Sequence, residues 1–163
     1  MRSTLDLPGT ICWVTSNKNT NKRSSVTEQY VLDSWALLAM MQGEEPAASR
    51  VGQLLRAGER QEATLLLSMI NLGEVYHRTG RRTDRAAAAS ALRDIRRLAL
   101  TIEPVSDDLV LAAADFKMEY AISYADAFAA ALADRDGAIL VSGDPDFDAL
   151  EGRIRIEKLH RRR

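Results

Sequence analysis

Apolar positions follow two rhythms along this chain. Residues 30–32 form a short β-prone run that ends at Asp33, and residues 35–41 are then nearly all apolar, which predicts a strand followed by a deeply buried helix. Pro46 suits a first helical position, Val51, Leu54 and Leu55 fall on one helical face, and Gly58 reads as a stop. Residues 63–67 read as a second buried strand, and Ser68 caps a helix that runs to about Thr79, with Gly80 after it. A further helix is predicted over residues 83–98, where Leu92, Ile95 and Leu98 recur at helical spacing. Residues 100–105 contain Pro104 and read as a short strand at the sheet edge.

Ser106 with Asp107 and Asp108 is a helix-start signature, after which Leu109, Ala113, Phe116 and Tyr120 share a face. An alanine-rich helix over residues 124–134 and a third buried strand over residues 138–141 follow, closed by Ser142-Gly143-Asp144-Pro145. Ile154 and Ile156 alternate with Arg153, Arg155 and Glu157 as in a half-buried edge strand, and residues 160–163 read as a solvated basic tail. Continuous apolar strands alternating with helices predict an α/β fold, a single domain with a mostly parallel sheet and helices on both faces.

Composition narrows this picture. At 163 residues the chain suits one domain, and 46% apolar with 28% charged residues is ordinary for a globular protein. A formal charge of −1 supplies no global attraction to nucleic acid or anionic membrane, so any such binding rests on a local patch. Cys12 is the one cysteine and has no internal partner, which favours a reducing compartment. No apolar run reaches the ~18 residues of a spanning helix, and residues 11–14 are too short for a secretory core; a cytoplasmic protein with no membrane role is expected. Residues 1–25 are polar, aperiodic and basic, and read as a disordered leader; an alternative start codon at Val26 would make them foreign to the native chain. The domain is then expected over residues 26–163.

Four acids stand at the predicted junctions: Asp33 after the first strand, Glu74 on the helix after the second, Asp126 at the start of the alanine-rich helix and Asp144 after the third strand. In such a sheet, ligands bind outside the carboxyl ends of the strands. Each acid also has a structural reading. Asp33 and Asp144 suit helix caps, Ser123 with Asp126 approximates a capping box, and Glu74 lies four residues before Arg78. Their settings point further, because Asp126 and Glu74 lie within apolar helices where an acid needs a partner. Acids held together raise each other's pKa unless a cation intervenes. Oxygen ligands suit Mg²⁺ or Mn²⁺; zinc would want histidine or cysteine, and His77 and His160 lie far apart in the chain.

Val31-Leu32-Asp33-Ser34, Asn71-Leu72-Gly73-Glu74-Val75, Tyr124-Ala125-Asp126-Ala127 and Leu140-Val141-Ser142-Gly143-Asp144-Pro145-Asp146-Phe147 occur in this order. This series resembles the PIN-domain nucleases, most closely VapC-type toxins of bacterial toxin–antitoxin systems, over residues 27–159. The resemblance implies strand order 3-2-1-4-5, a metal-dependent ribonuclease leaving a 5′-phosphate and a 3′-hydroxyl, a cognate VapB-type antitoxin and a homodimer. It matches Asp33, Glu74, Asp126 and Asp144 to the catalytic quartet, with Asp33, Asp126 and Asp144 holding Mg²⁺ or Mn²⁺. Ser142 and Asn71 are implied to support the acids from behind, with helix capping the alternative for Asn71, and Asp146 is either a further ligand or part of a turn. Trp35 is bulkier than the family usually has after the first acid.

Arg78, Arg81, Arg82 and Arg85, and separately Arg93, Arg96 and Arg97, either contact RNA phosphates or form solvated helix faces; Trp35 and Tyr76 read as packing residues. The alternatives to a toxin are a housekeeping RNA-processing nuclease of the same fold or a receiver-like signalling domain. A haloacid-dehalogenase-type site would need a second Asp where Trp35 stands, and no glycine-rich phosphate loop follows any strand.

Overall fold

The computed structural model describes residues 27–162. The expected leader over residues 1–25 lies outside them. β1 (Glu28–Leu32) leads through Asp33 into α1 (Ser34–Met41), and α2 (Ala47–Glu59) returns the chain to β2 (Ala63–Ser68). α3 (Met69–Arg82) and α4 (Arg85–Ile95) form a hairpin ahead of the short β3 (Thr101–Glu103). α5 (Asp107–Glu119) and α6 (Tyr124–Asp136) precede β4 (Ile139–Ser142), a 3-10 helix (Pro145–Leu150) and β5 (Arg155–Lys158).

The five strands form one sheet in the order β3-β2-β1-β4-β5, and every pairing is parallel. β1 is the central strand, and its side chains alternate between two cores. Tyr30 and Leu32 join Leu65, Leu67 and Val141 under α1 and α2, whereas Val31 joins Leu66 and Leu140 under α5 and α6. Burial on both faces explains why the strands read as unbroken apolar runs. Pro104 follows β3 at the sheet edge, where a missing N–H costs no ladder bond. Among the described residues no helix is long and apolar enough to cross a membrane.

Several expected boundaries move. Gly58 and Gly80 lie inside α2 and α3. Both keep ordinary helical φ; the reversal after α2 is made by Gln61 at φ 59°, and the α3–α4 corner by Thr83 with Asp84 capping α4. Gly58 is needed for another reason, since a Cβ there would meet the Ala99 carbonyl oxygen at 2.7 Å. Pro46 caps α2 from the position before its first helical residue, and α4 is shorter than residues 83–98 because Leu98 belongs to the turn into β3.

The solvated tail is a correction. Residues 160–162 form a strap across the α1–α2 loop: the Ala47 N–H donates to the His160 carbonyl at 3.1 Å and the Arg162 N–H to the Glu45 carbonyl at 2.8 Å. Arg161 pairs with Glu44 at 3.0 Å and lies 5.5 Å from the Trp35 ring centre. The backbone of the tail is thus tied down, while its side chains stay exposed and, among residues 160–162, only Arg161 spends its charge in a contact.

Candidate functional site

Parallel pairing of β2, β1 and β4 sends all three strands out at one rim, so the residues that follow them meet there. Asp33 leaves β1 and caps α1, its Oδ1 accepting from the Ala36 N–H at 2.8 Å. Its Oδ2 accepts from the Ser142 hydroxyl at 2.7 Å, and the same Ser142 oxygen accepts from the Asp144 N–H at 2.9 Å. One buried serine at the end of β4 therefore ties two of the acids together.

Glu74 reaches the rim from the second turn of α3. Its Oε2 accepts from the buried Ser34 hydroxyl, and its Oε1 lies 3.8 Å from Arg78, the helical pair expected from spacing. Ser34 received no role from the sequence, although a buried serine opening an apolar helix is itself a signal of a polar partner. Asn71 is fully buried beneath this turn. The Ser68 hydroxyl donates to its Oδ1, and its amide donates to the Ala125 carbonyl at 3.2 Å, tying α3 to the first turn of α6. Asn71 thus braces the helix carrying Asp126 rather than the Glu74 carboxylate.

Asp126 stands at the third position of α6 in a full capping box: the Asp126 N–H donates to Ser123 Oγ and the Ser123 N–H donates to Asp126 Oδ2. Asp144 caps the 3-10 helix, accepting from the Asp146 N–H at 3.0 Å, while Asp146 itself is exposed. The capping readings of Asp33, Asp126 and Asp144 all hold, and they leave each carboxylate with lone pairs to spare.

Electrostatics gathers the same residues. Asp33 is 1% exposed, and burial pushes its carboxyl up to about 7 against the pull of the Ala36 N–H and Ser142 hydroxyl, with the charge of Asp126 adding to the rise. Burial also raises Asp126, with Ser123 opposing and the charges of Asp144 and Glu74 reinforcing. Asp33 thus feels the charge of Asp126, and Asp126 those of Asp144 and Glu74. Among the described residues no three His, Cys, Asp or Glu side chains stand together as a metal-holding group.

The family model for the PIN domain matches residues 30–153, spanning all four acids. The chain belongs to the PIN domain family. Solved structures of the same fold include VapBC2 from Rickettsia felis bound to a DNA fragment from its promoter, with 17% identity, 81% of this chain and 99% of that chain covered and a TM-score of 0.64. DNA-bound VapBC from Salmonella typhimurium shares 17% identity over 80% of this chain and 98% of that one, with a TM-score of 0.62. VapC20 from Mycobacterium tuberculosis, described as a sarcin-ricin loop cleaving toxin, shares 21% identity over 75% and 95%, with a TM-score of 0.59. No curated protein matches the chain. The PIN domain's strand order also excludes the receiver-like alternative, whose flavodoxin-like sheet runs 2-1-3-4-5.

Proposed function

We propose that this PIN domain is a metal-dependent endoribonuclease toxin of a toxin–antitoxin module, hydrolysing RNA phosphodiesters at Asp33, Glu74, Asp126 and Asp144. Family membership supports the nuclease chemistry, and the VapBC relatives support a toxin held by a VapB-type antitoxin; a homodimer is part of the same proposal. The observation that carries the reading is the chain of bonds Glu74–Ser34 and Asp33–Ser142–Asp144, which holds three acids on one rim through two buried hydroxyls.

The donors suit a hard divalent cation, being carboxylate oxygens alone, and burial already disfavours the bare charge of Asp33 and Asp126. Asp33, Asp126 and Asp144 would hold Mg²⁺ or Mn²⁺, with Glu74 assisting. Asp144 and Glu74 are half-buried, whereas Asp33 is buried. When bound, such a cation supplies Lewis acidity and a water of lowered pKa. The chain's own work is positioning: Ala36 and Ser142 fix Asp33, Ser34 leans Glu74 toward β1, and Asn71 sets the start of α6 and hence Asp126. Asp146 serves the turn through its N–H, and its exposed carboxylate is a candidate further ligand.

The deciding assay uses protein freed of antitoxin. It is expected to cut RNA with Mg²⁺ or Mn²⁺, to stop with EDTA and to lose activity as Asp33→Asn. Equal behaviour of wild type and variant on every RNA tried would sink the proposal.

A further inference from the structure

Beside the acids lies an open cleft of about 870 Å³ between the ends of α1 and α3, lined by Trp35, His77, Arg78, Arg81, Arg82 and Arg161 among others. Its one acidic lining residue, Glu44, is paired with Arg161. Arg82 bonds the neutral amide of Gln42, and among the described residues Arg81 and Arg82 have no carboxylate partner. In a chain of net charge −1, this is a local concentration of guanidinium groups aimed at a common space. Arg85, Arg93, Arg96 and Arg97 do not line it.

Complementing a helix C-terminus would account for Arg81 and Arg82 in the last turn of α3. It does not account for Arg161, delivered to the same cleft by the C-terminal strap and held over Trp35. The cleft borders the acidic rim without including its acids: Arg78 lines it and lies 3.8 Å from Glu74, and Trp35 lines it two residues after Asp33. Planar guanidinium forks match phosphate oxygens and supply the positive border that an acidic rim needs before a polyanion can approach.

We infer that this cleft binds the phosphate backbone of single-stranded RNA flanking the bond to be cut, with Arg81, Arg82 and Arg161 as the contacts. The inference rests on the nuclease reading for the identity of the strand, but its test does not need cutting. Binding of a labelled single-stranded RNA is measured by fluorescence anisotropy in EDTA across a salt series. Arg81→Ala/Arg82→Ala is expected to bind at least about tenfold more weakly at low salt and to flatten the slope of log affinity against log salt by ~1.4, about 0.7 per lost phosphate contact. Arg93→Ala/Arg96→Ala, an equal charge change on exposed residues outside the cleft, is expected to match wild type. Circular dichroism checks that both variants fold.

Equal loss in both variants, or no loss in the cleft variant, overturns the inference, as does wild-type protein that binds no RNA at any salt. So does a cleft variant that keeps RNA but loses poly-glutamate, which would make the cleft a docking surface for acidic protein. Cutting with Mg²⁺ is scored in parallel. RNA bound through the cleft but never cut condemns the nuclease reading alone; cutting with an unchanged KM in the cleft variant condemns the cleft alone.

Discussion

Asp33 carries its charge at a cost. Its folded pKa of about 7 lies above the ordinary carboxylate range, so the native chain keeps a proton that the unfolded chain releases. The stability that this proton contributes to the metal-free protein is therefore expected to be present in full below about pH 4, to be lost as pH rises toward about 7, and to change no further above it; Asp126 shifts in the same direction. Thermal melts in EDTA are the check. Asp33→Asn removes the charge, so this variant is expected to melt above wild type at pH 8 and close to it at pH 4, while losing well over the roughly 100-fold in activity typical of outer-shell changes. A variant that melts lower at both pH values would mean that its hydrogen bonds outweigh its burial.

Ser142→Ala removes the hydroxyl between Asp33 and the Asp144 N–H, with an expected cost of about 1–3 kcal/mol in stability and roughly 10–100-fold in Mg²⁺ affinity, read by denaturant titration and calorimetry. The acids themselves were legible because each follows a strand or sits in an apolar helix within a few residues of sequence. Ser34 was not, because its partner Glu74 lies forty positions away and only the packing of α1 against α3 brings them together.

At the scale of elements, the loop after β4 depends on a missing side chain. A Cβ at Gly143 would fall 2.6 Å from Cζ2 and Cζ3 of Trp35 and closer still to Cη2, so the indole of α1 seats directly on the backbone that presents Asp144. Gly143→Ala is expected to destabilise by about 1–3 kcal/mol and to lower cutting by displacing Asp144. Adding Trp35→Leu is expected to recover part of both losses, measured as a double-mutant cycle; strict additivity would show that the two positions do not press on each other. The bulk of Trp35 was visible in sequence, but its seat was not, because nothing local in Ser142-Gly143-Asp144 names an aromatic neighbour more than a hundred residues away. Gly58 and Gly80 misled for the converse reason. Glycine marks a helix end only where the backbone turns to positive φ, and both remain helical.

Across the whole molecule, two-sided burial was legible from the apolar runs and strand order from the resemblance, whereas the strap was not. Its bonds go to the backbone at Glu45 and Ala47, which a cationic run at the far end of the chain does not announce. Deleting residues 160–163 is expected to lower Tm by about 3–8 °C, from roughly 1–3 kcal/mol of lost bonding. An unchanged Tm would reduce the strap to a passive contact.

The central place of β1 also sets a timetable. Asp33 is among the first described residues to leave the ribosome, yet its flank stays an open strand edge until β4, which carries its Ser142 partner and leads to Asp144, has been made. At ordinary elongation rates that interval is on the order of ten seconds. A nascent chain that stops short of β4 has no assembled rim, so the acids come together only after Ser142 and Asp144 have been added.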